Sequence, residues 1–186
     1  MNKKNYISLA KKAANIQISE LKKIKKIFNK SFVKAVDLIL SCKGKVIFAG
    51  IGKSGLIARK ISATFSSVGI PSFFCDPAQA LHGDMGQLEK KDILIIFSYS
   101  GNTAELNNML KYANRYSVKI IGVASKPDSI LLKASDIKLI LPKVKESDVT
   151  GMVPTSSTSI TLLLGDCLAT TVMILKKFSK EKFKIF

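Results

Sequence analysis

Three apolar runs limit the folds open to this chain. They read KVIFA from Lys45, ILIIFS from Ile93 and KIIGVAS from Lys119. Each is too short for a buried helix, and ILIIFS shows no alternation of polar and apolar residues. A strand of this kind is covered on both faces, as in a parallel sheet wrapped by helices. PSFFC from Pro71 and IKLILP from Ile137 add two more strands. The segments between them carry helical spacing. LIARKISATFSS runs up to a stop at Gly69, a second helix covers about Thr103–Tyr116, SILLKAS fits a short one, and a long one covers about Thr155–Lys177. Ahead of the first strand, Ile16, Leu21, Ile24, Phe28, Phe32, Val36 and Ile39 recur at three- and four-residue steps, predicting helix from Asn5 to about Cys42. Alternating strands and helices predict one α/β domain with a parallel sheet and helices on both sides. Residues 1–42 form its N-terminal helical segment and 43–186 its core, and 186 residues suffice to bury one.

Composition removes several alternatives. The formal net charge of +17 invites a nucleic-acid reading, but Arg59 and Arg115 are the only arginines among 30 basic residues. Base readout favours the planar fork of arginine, and the lysines gather in the N-terminal helical segment and the C-terminal tail. Solvated lysine faces are expected, with no specific nucleic-acid partner. The most apolar stretch, ITLLLGDCLATTVMIL, falls short of a membrane span and is interrupted by Gly165 and Asp166; a buried core or interface helix and no membrane partner are expected. Cys42, Cys75 and Cys167 are an odd number of cysteines, far apart, with no metal-ligand spacing. Free thiols and an N-terminus without a secretory pattern predict a cytoplasmic location and no metal.

In open α/β sheets ligands bind beyond the carboxyl ends of the strands. Three polar loops fall there: GIGKSG after the first strand, SYSGNT after the third, and PTSST at the start of the last helix. Each opens a helix, whose first turn offers unpaired amides and a positive dipole end to an anion. GIGKSG also matches a dinucleotide fingerprint, with Asp76 where a ribose-binding acid would fall. It is not a Walker A loop, which needs four residues between the first glycine and the Gly-Lys pair. SYSGNT has a second reading as a helix cap, because Asn102 and Glu105 have the spacing of a capping box.

Taken together, GIGKSG, PSFF, ALHGDMG, FSYSGNTAEL and GMVPTSST…GD, in that order, resemble the sugar isomerase (SIS) domain family, and within it the arabinose-5-phosphate isomerases. The resemblance spans nearly all of the chain after Gly50. It implies a five-stranded parallel sheet in a flavodoxin-like three-layer sandwich. It also implies aldose–ketose isomerisation of arabinose 5-phosphate and ribulose 5-phosphate without an organic cofactor, feeding lipopolysaccharide synthesis. The family forms oligomers, dimers or tetramers, in which neighbouring subunits complete each site. Carried over by motif, Ser54, Ser98, Ser100 and Thr103 would hold the phosphate, and Thr155, Ser156, Ser157 and Thr158 the sugar hydroxyls or phosphate. The sole histidine, His82, suits proton transfer near neutrality. Asp84 would orient its ring or cap a turn. Lys53 would polarise sugar oxygens, and Glu105 and Glu146 match positions bearing carboxylates in the family's site.

The sequence departs from the family at Tyr99 and Asn102, where relatives often carry Asn or Gln and Glu. Arabinose-type members also continue with a His-Pro-Gly-Gly segment and commonly two CBS domains, neither of which this sequence contains. That histidine is a candidate base in relatives. The alternative expectation is therefore a phosphosugar-binding module without turnover.

Overall fold

The computed structural model describes residues 3–178, so the lysines of the C-terminal tail lie outside it. All five apolar runs form strands: β1 Val46–Gly50, β2 Ser72–Phe74, β3 Ile93–Phe97, β4 Lys119–Ala124 and β5 Ile137–Ile140. They pair in parallel in the order β2-β1-β3-β4-β5. The helices are α1 Lys3–Leu21, α2 Lys30–Ser41, α3 Gly52–Ser67, α4 Leu106–Arg115, α5 Ile130–Ala134 and α6 Ser156–Leu175.

Because strand side chains alternate faces, the sheet feeds two cores. Phe48, Ile95, Phe97, Ile121 and Val123 point into the layer containing α2, α3 and α6. Ile47, Leu94, Ile96 and Ile120 point into the layer containing α4 and α5. All five residues of β3 are buried, which accounts for its unbroken apolar run. Phe48 sits at the centre of the first core, its ring 5.0 Å from Phe65 and 6.1 Å from Phe97. Each such side chain contributes about 1.5–3 kcal/mol by leaving water.

The expected N-terminal helix is broken into α1, a 3₁₀ stretch Lys22–Ile27, and α2. The break falls where Asn29 turns extended and its side chain accepts from the Ser31 amide at 2.8 Å, capping α2. Ile24, Ile27, Val36 and Ile39 still pack into the first core. α4 also starts later than its pattern suggested, and the capping box does not form. Asn102 Oδ1 instead accepts from the Ile130 amide at the start of α5 (3.0 Å), and Glu105 makes no side-chain cap. α6 is longer than its apolar run because the Ser/Thr residues before it join the helix. Among the described residues it is the one helix long and apolar enough to cross a membrane. Here Ile160, Leu164, Leu168, Ala169 and Val172 place it in the first core.

The strand order is the flavodoxin-like one, whose ligand crevice lies between β1 and β3. Gly50 pairs with Phe97 in the register of these strands, so the loops after them leave the sheet side by side. Gly50 and Gly55 serve close packing: a Cβ on Gly55 would lie 2.6 Å from the Gly50 carbonyl oxygen, and one on Gly50 2.9 Å from that of Phe97. Asp76 is committed to its own turn, accepting from the Ala78 amide at 2.9 Å.

Candidate functional site

A cleft of about 460 Å³ opens at the carboxyl edge of β1 and β3. The loop after β1 supplies Ile51, Lys53 and Ser54, and the loop after β3 supplies Tyr99 and Ser100. A strap of residues 142–155 contributes Val144, Glu146, Gly151, Met152 and Pro154, and α6 adds Ser157, Thr158 and Thr161.

The floor is the amino end of α3. Ile51, at its N-cap, offers no side-chain acceptor, and the first helical bond runs from the Gly55 amide to the Ile51 carbonyl at 3.3 Å. The amides of Gly52, Lys53 and Ser54 are therefore left without helical acceptors, at the positive end of the helix. Lys53 is exposed beside them.

The wall after β3 is a tight turn. Ser98 is buried, and its hydroxyl lies 2.9 Å from the Thr103 hydroxyl while accepting from the Gly101 amide at 3.1 Å. Gly101 has φ +69°, and a Cβ there would lie 2.3 Å from Ser129 Oγ. Only glycine meets both demands without strain. Ser98 and Thr103 thus shape the loop from behind, whereas Ser100 is exposed to the cleft and accepts only a long 3.3 Å bond from the Asn102 amide.

The far side differs. Glu146 Oε2 accepts from the Thr155 amide at 2.8 Å, the Thr155 hydroxyl at 2.9 Å and the Ser157 amide at 3.2 Å. A carboxylate therefore already occupies the amino end of α6. Burial pushes the Glu146 carboxyl up, but hydrogen bonds from Ser157 and Thr155 outweigh it and hold the carboxyl below its ordinary value. Thr158 Oγ1 donates to the Thr155 carbonyl at 2.8 Å, and Thr161 Oγ1 to that of Ser157 at 2.7 Å. Ser156 is fully buried, and its hydroxyl is without a partner among the described residues.

The strap is held from two sides. Tyr99 Oη donates to the Pro142 carbonyl at 3.3 Å and accepts from the Val144 amide at 2.9 Å. From α1, Glu20 accepts from the Lys145 amide at 3.1 Å. Gln17 donates to Ser147 Oγ at 3.2 Å and accepts from Ser159 Oγ at 3.0 Å. At the tip, both carboxylate oxygens of Asp148 take part: Oδ2 accepts from Thr150 and Met152, and Oδ1 from Val153.

Of the residues singled out in the sequence, the cleft gathers Lys53, Ser54, Ser100, Glu146, Ser157 and Thr158. Ser98, Thr103, Thr155 and Ser156 support it from behind. Glu105 and His82 are exposed and line no part of it; His82 ends the 3₁₀ turn Gln79–His82, and Asp84 begins the next. Sequence reasoning missed Gln17, Glu20 and Val144, whose contacts join segments more than 40 residues apart, and it treated Tyr99 only as a departure. Among the described residues no three His, Cys, Asp or Glu side chains are gathered to hold a metal ion. Cys75 is buried, which pushes its thiol up to about 11.

Comparison with known proteins agrees with this fold. The SIS domain model matches residues 39–171. Arabinose 5-phosphate isomerase GutQ of Salmonella typhi is 40% identical over 168 residues, covering 90% of this chain and 52% of the relative. Arabinose 5-phosphate isomerase KdsD of Pseudomonas aeruginosa is 43% identical over 152 residues, covering 82% of this chain and 47% of the relative. This chain therefore spans about half the length of these two curated relatives. The solved structure of E. coli CFT073 c3406 in complex with arabinose 5-phosphate superposes with a TM-score of 0.96 at 34% identity, covering 100% of this chain and 98% of the other.

Proposed function

The chain belongs to the SIS domain family, and from that premise we propose that it interconverts arabinose 5-phosphate and ribulose 5-phosphate in a cytoplasmic setting. One observation carries the reading: Lys53, Ser54, Ser100, Glu146, Ser157 and Thr158, from four segments of sequence, line one cleft at the β1–β3 crevice.

The phosphate sits on the free amides of α3 and on the hydroxyls of Ser54 and Ser100, with Ser98 and Thr103 holding the loop that presents them. It does not sit at the amino end of α6, where a second anion would face the Glu146 carboxylate at close range. The sugar then extends across the cleft towards Glu146, Ser157 and Thr158. Removal of the C2 proton from the open-chain aldose forms an enediolate. Proton delivery to C1, with the hydroxyl proton moving from O2 to O1, yields the ketose without a net change of atoms. The Lys53 ammonium stabilises the oxygen charge that develops between these steps. Glu146 has its second oxygen, Oε1, to offer the substrate.

His82 and Glu105 stand outside the cleft of their own chain, so their part in proton transfer is assigned to the cleft of a neighbouring copy in a dimer or tetramer. The exposed position of His82 also favours a second reading, in which the chain binds the phosphosugar without turning it over.

Proton NMR of the protein with arabinose 5-phosphate in D₂O separates the two. Isomerisation predicts ribulose 5-phosphate together with deuterium at C2 of the recovered aldose, both lost in His82→Ala. Saturable binding without exchange would replace the first reading by the second, and neither binding nor turnover would overturn both.

A further inference from the structure

We propose that Tyr99 is a positioning residue that couples occupancy of the anion cradle to the strap carrying Glu146; this rests on the phosphosugar reading and adds a residue to it.

Tyr99 lies between Ser98 and Ser100, so its backbone belongs to the cradle. Its carbonyl accepts from the Ser125 amide at 2.8 Å and the Ser125 hydroxyl at 2.7 Å, which anchors that one end of the residue to the end of β4. Its side chain leaves the cradle and crosses to the strap, where the hydroxyl bridges the Pro142 carbonyl and the Val144 amide. Val144 is two residues before Glu146, whose carboxylate holds the amino end of α6. A continuous path thus runs from Ser100 through Tyr99, Val144 and Glu146 to Ser157, and its two ends line opposite sides of one cleft.

The bridge is selective in what it demands. The hydroxyl must donate and accept at once, and burial, which pushes its pKa up, keeps the proton in place. The ring lines the cleft with its hydroxyl already engaged, so it closes space beside the substrate without competing for its hydroxyls. An anion that orders Ser100 orders the Tyr99 backbone, and the phenol carries that restraint to the strap. The carboxylate is then held where the sugar arrives, and small displacements of such a group are costly to turnover.

Tyr99→Phe deletes the bridge and keeps the ring. In the wild type, saturating inorganic phosphate should slow amide exchange of Val144 through Ser147 about 5-fold or more, the usual lower range of coupling between sites. In Tyr99→Phe that slowing should disappear while phosphate affinity changes by less than about threefold, since the hydroxyls and amides of the cradle remain. Turnover of arabinose 5-phosphate should fall about 10- to 100-fold with little change in KM, the pattern of a lost positioning contact. If Tyr99→Phe does not fold, Val144→Pro removes the donor on the other side of the bridge and should abolish the slowing at Lys145–Ser147. Phosphate-dependent slowing that survives in the variants, or its absence in a wild type that binds phosphate, overturns the coupling alone. A wild type that binds no phosphate overturns the functional reading and the coupling with it.

Discussion

Two of the helices that open on the cleft begin in loops of small residues, GIGKSG before α3 and PTSST before α6, yet they offer a ligand different things. At α3 the first amides have no acceptor among the described residues, because Ile51 at the N-cap has no polar side chain. At α6, PTSST looks equally hospitable to an anion, but Glu146 from the strap has already taken the amides of Thr155 and Ser157. Two loops of small residues thus yield one helix start with its first amides unclaimed and one occupied by the protein's own carboxylate. Hydroxyl-rich helix starts are candidates for phosphate only until the remaining chain has been placed.

The contrast breaks most severely at the turn that shapes the open seat. Gly101→Ala should cost about 2–4 kcal/mol, from a left-handed backbone forced on a residue with a Cβ and from overlap with Ser129. Urea denaturation measures this, and inorganic phosphate binding should be lost with it; an unchanged midpoint would mean that the turn is not rigid.

Next comes the occupied seat. Glu146→Gln should lower stability by about 1–2 kcal/mol at neutral pH, in the range of a lost helix cap. Because the folded carboxyl lies below its ordinary 4.5, its contribution is present above that value and is lost as pH falls through the lowered one. The gap between wild type and variant should therefore close in acid. A gap that persists there would show the cap to be steric and not electrostatic.

Single hydroxyls on the two sides of the cleft should respond unequally. Ser100→Ala should weaken inorganic phosphate binding about tenfold, as one lost charge-assisted hydrogen bond would. Thr158→Ala should alter it by less than about twofold, because that hydroxyl already donates to the Thr155 carbonyl and lies on the occupied side. Titration calorimetry of both variants distinguishes them; equal losses would place the phosphate between the two helices.

Much of this arrangement was legible in the sequence. Apolar runs such as ILIIFS permit little but a strand buried on both faces, and the polar turn after β3 could be read from SYSGNT because tight turns depend on neighbouring residues. Other readings failed where a side chain had a distant alternative. The Asn102–Glu105 spacing suggested a cap for α4, but Asn102 found the start of α5 instead. Glu146 could have been a solvated loop residue until the strap folded back onto α6. The lysine-rich α1 gave no hint that Gln17 would brace Ser147 and Ser159, some 130 residues away.

By itself the sequence determined the five strands, their helical cover and the loops at the carboxyl edge, because hydrophobic periodicity and turn geometry act over a few residues. Only the tertiary structure decided which helix end stays open to an anion, that Tyr99 ties the cradle to the strap, and that His82 lies outside its own cleft. Those outcomes depend on which polar groups satisfy one another across the fold, and a hydrogen bond is made with whatever partner packing brings within about 3 Å.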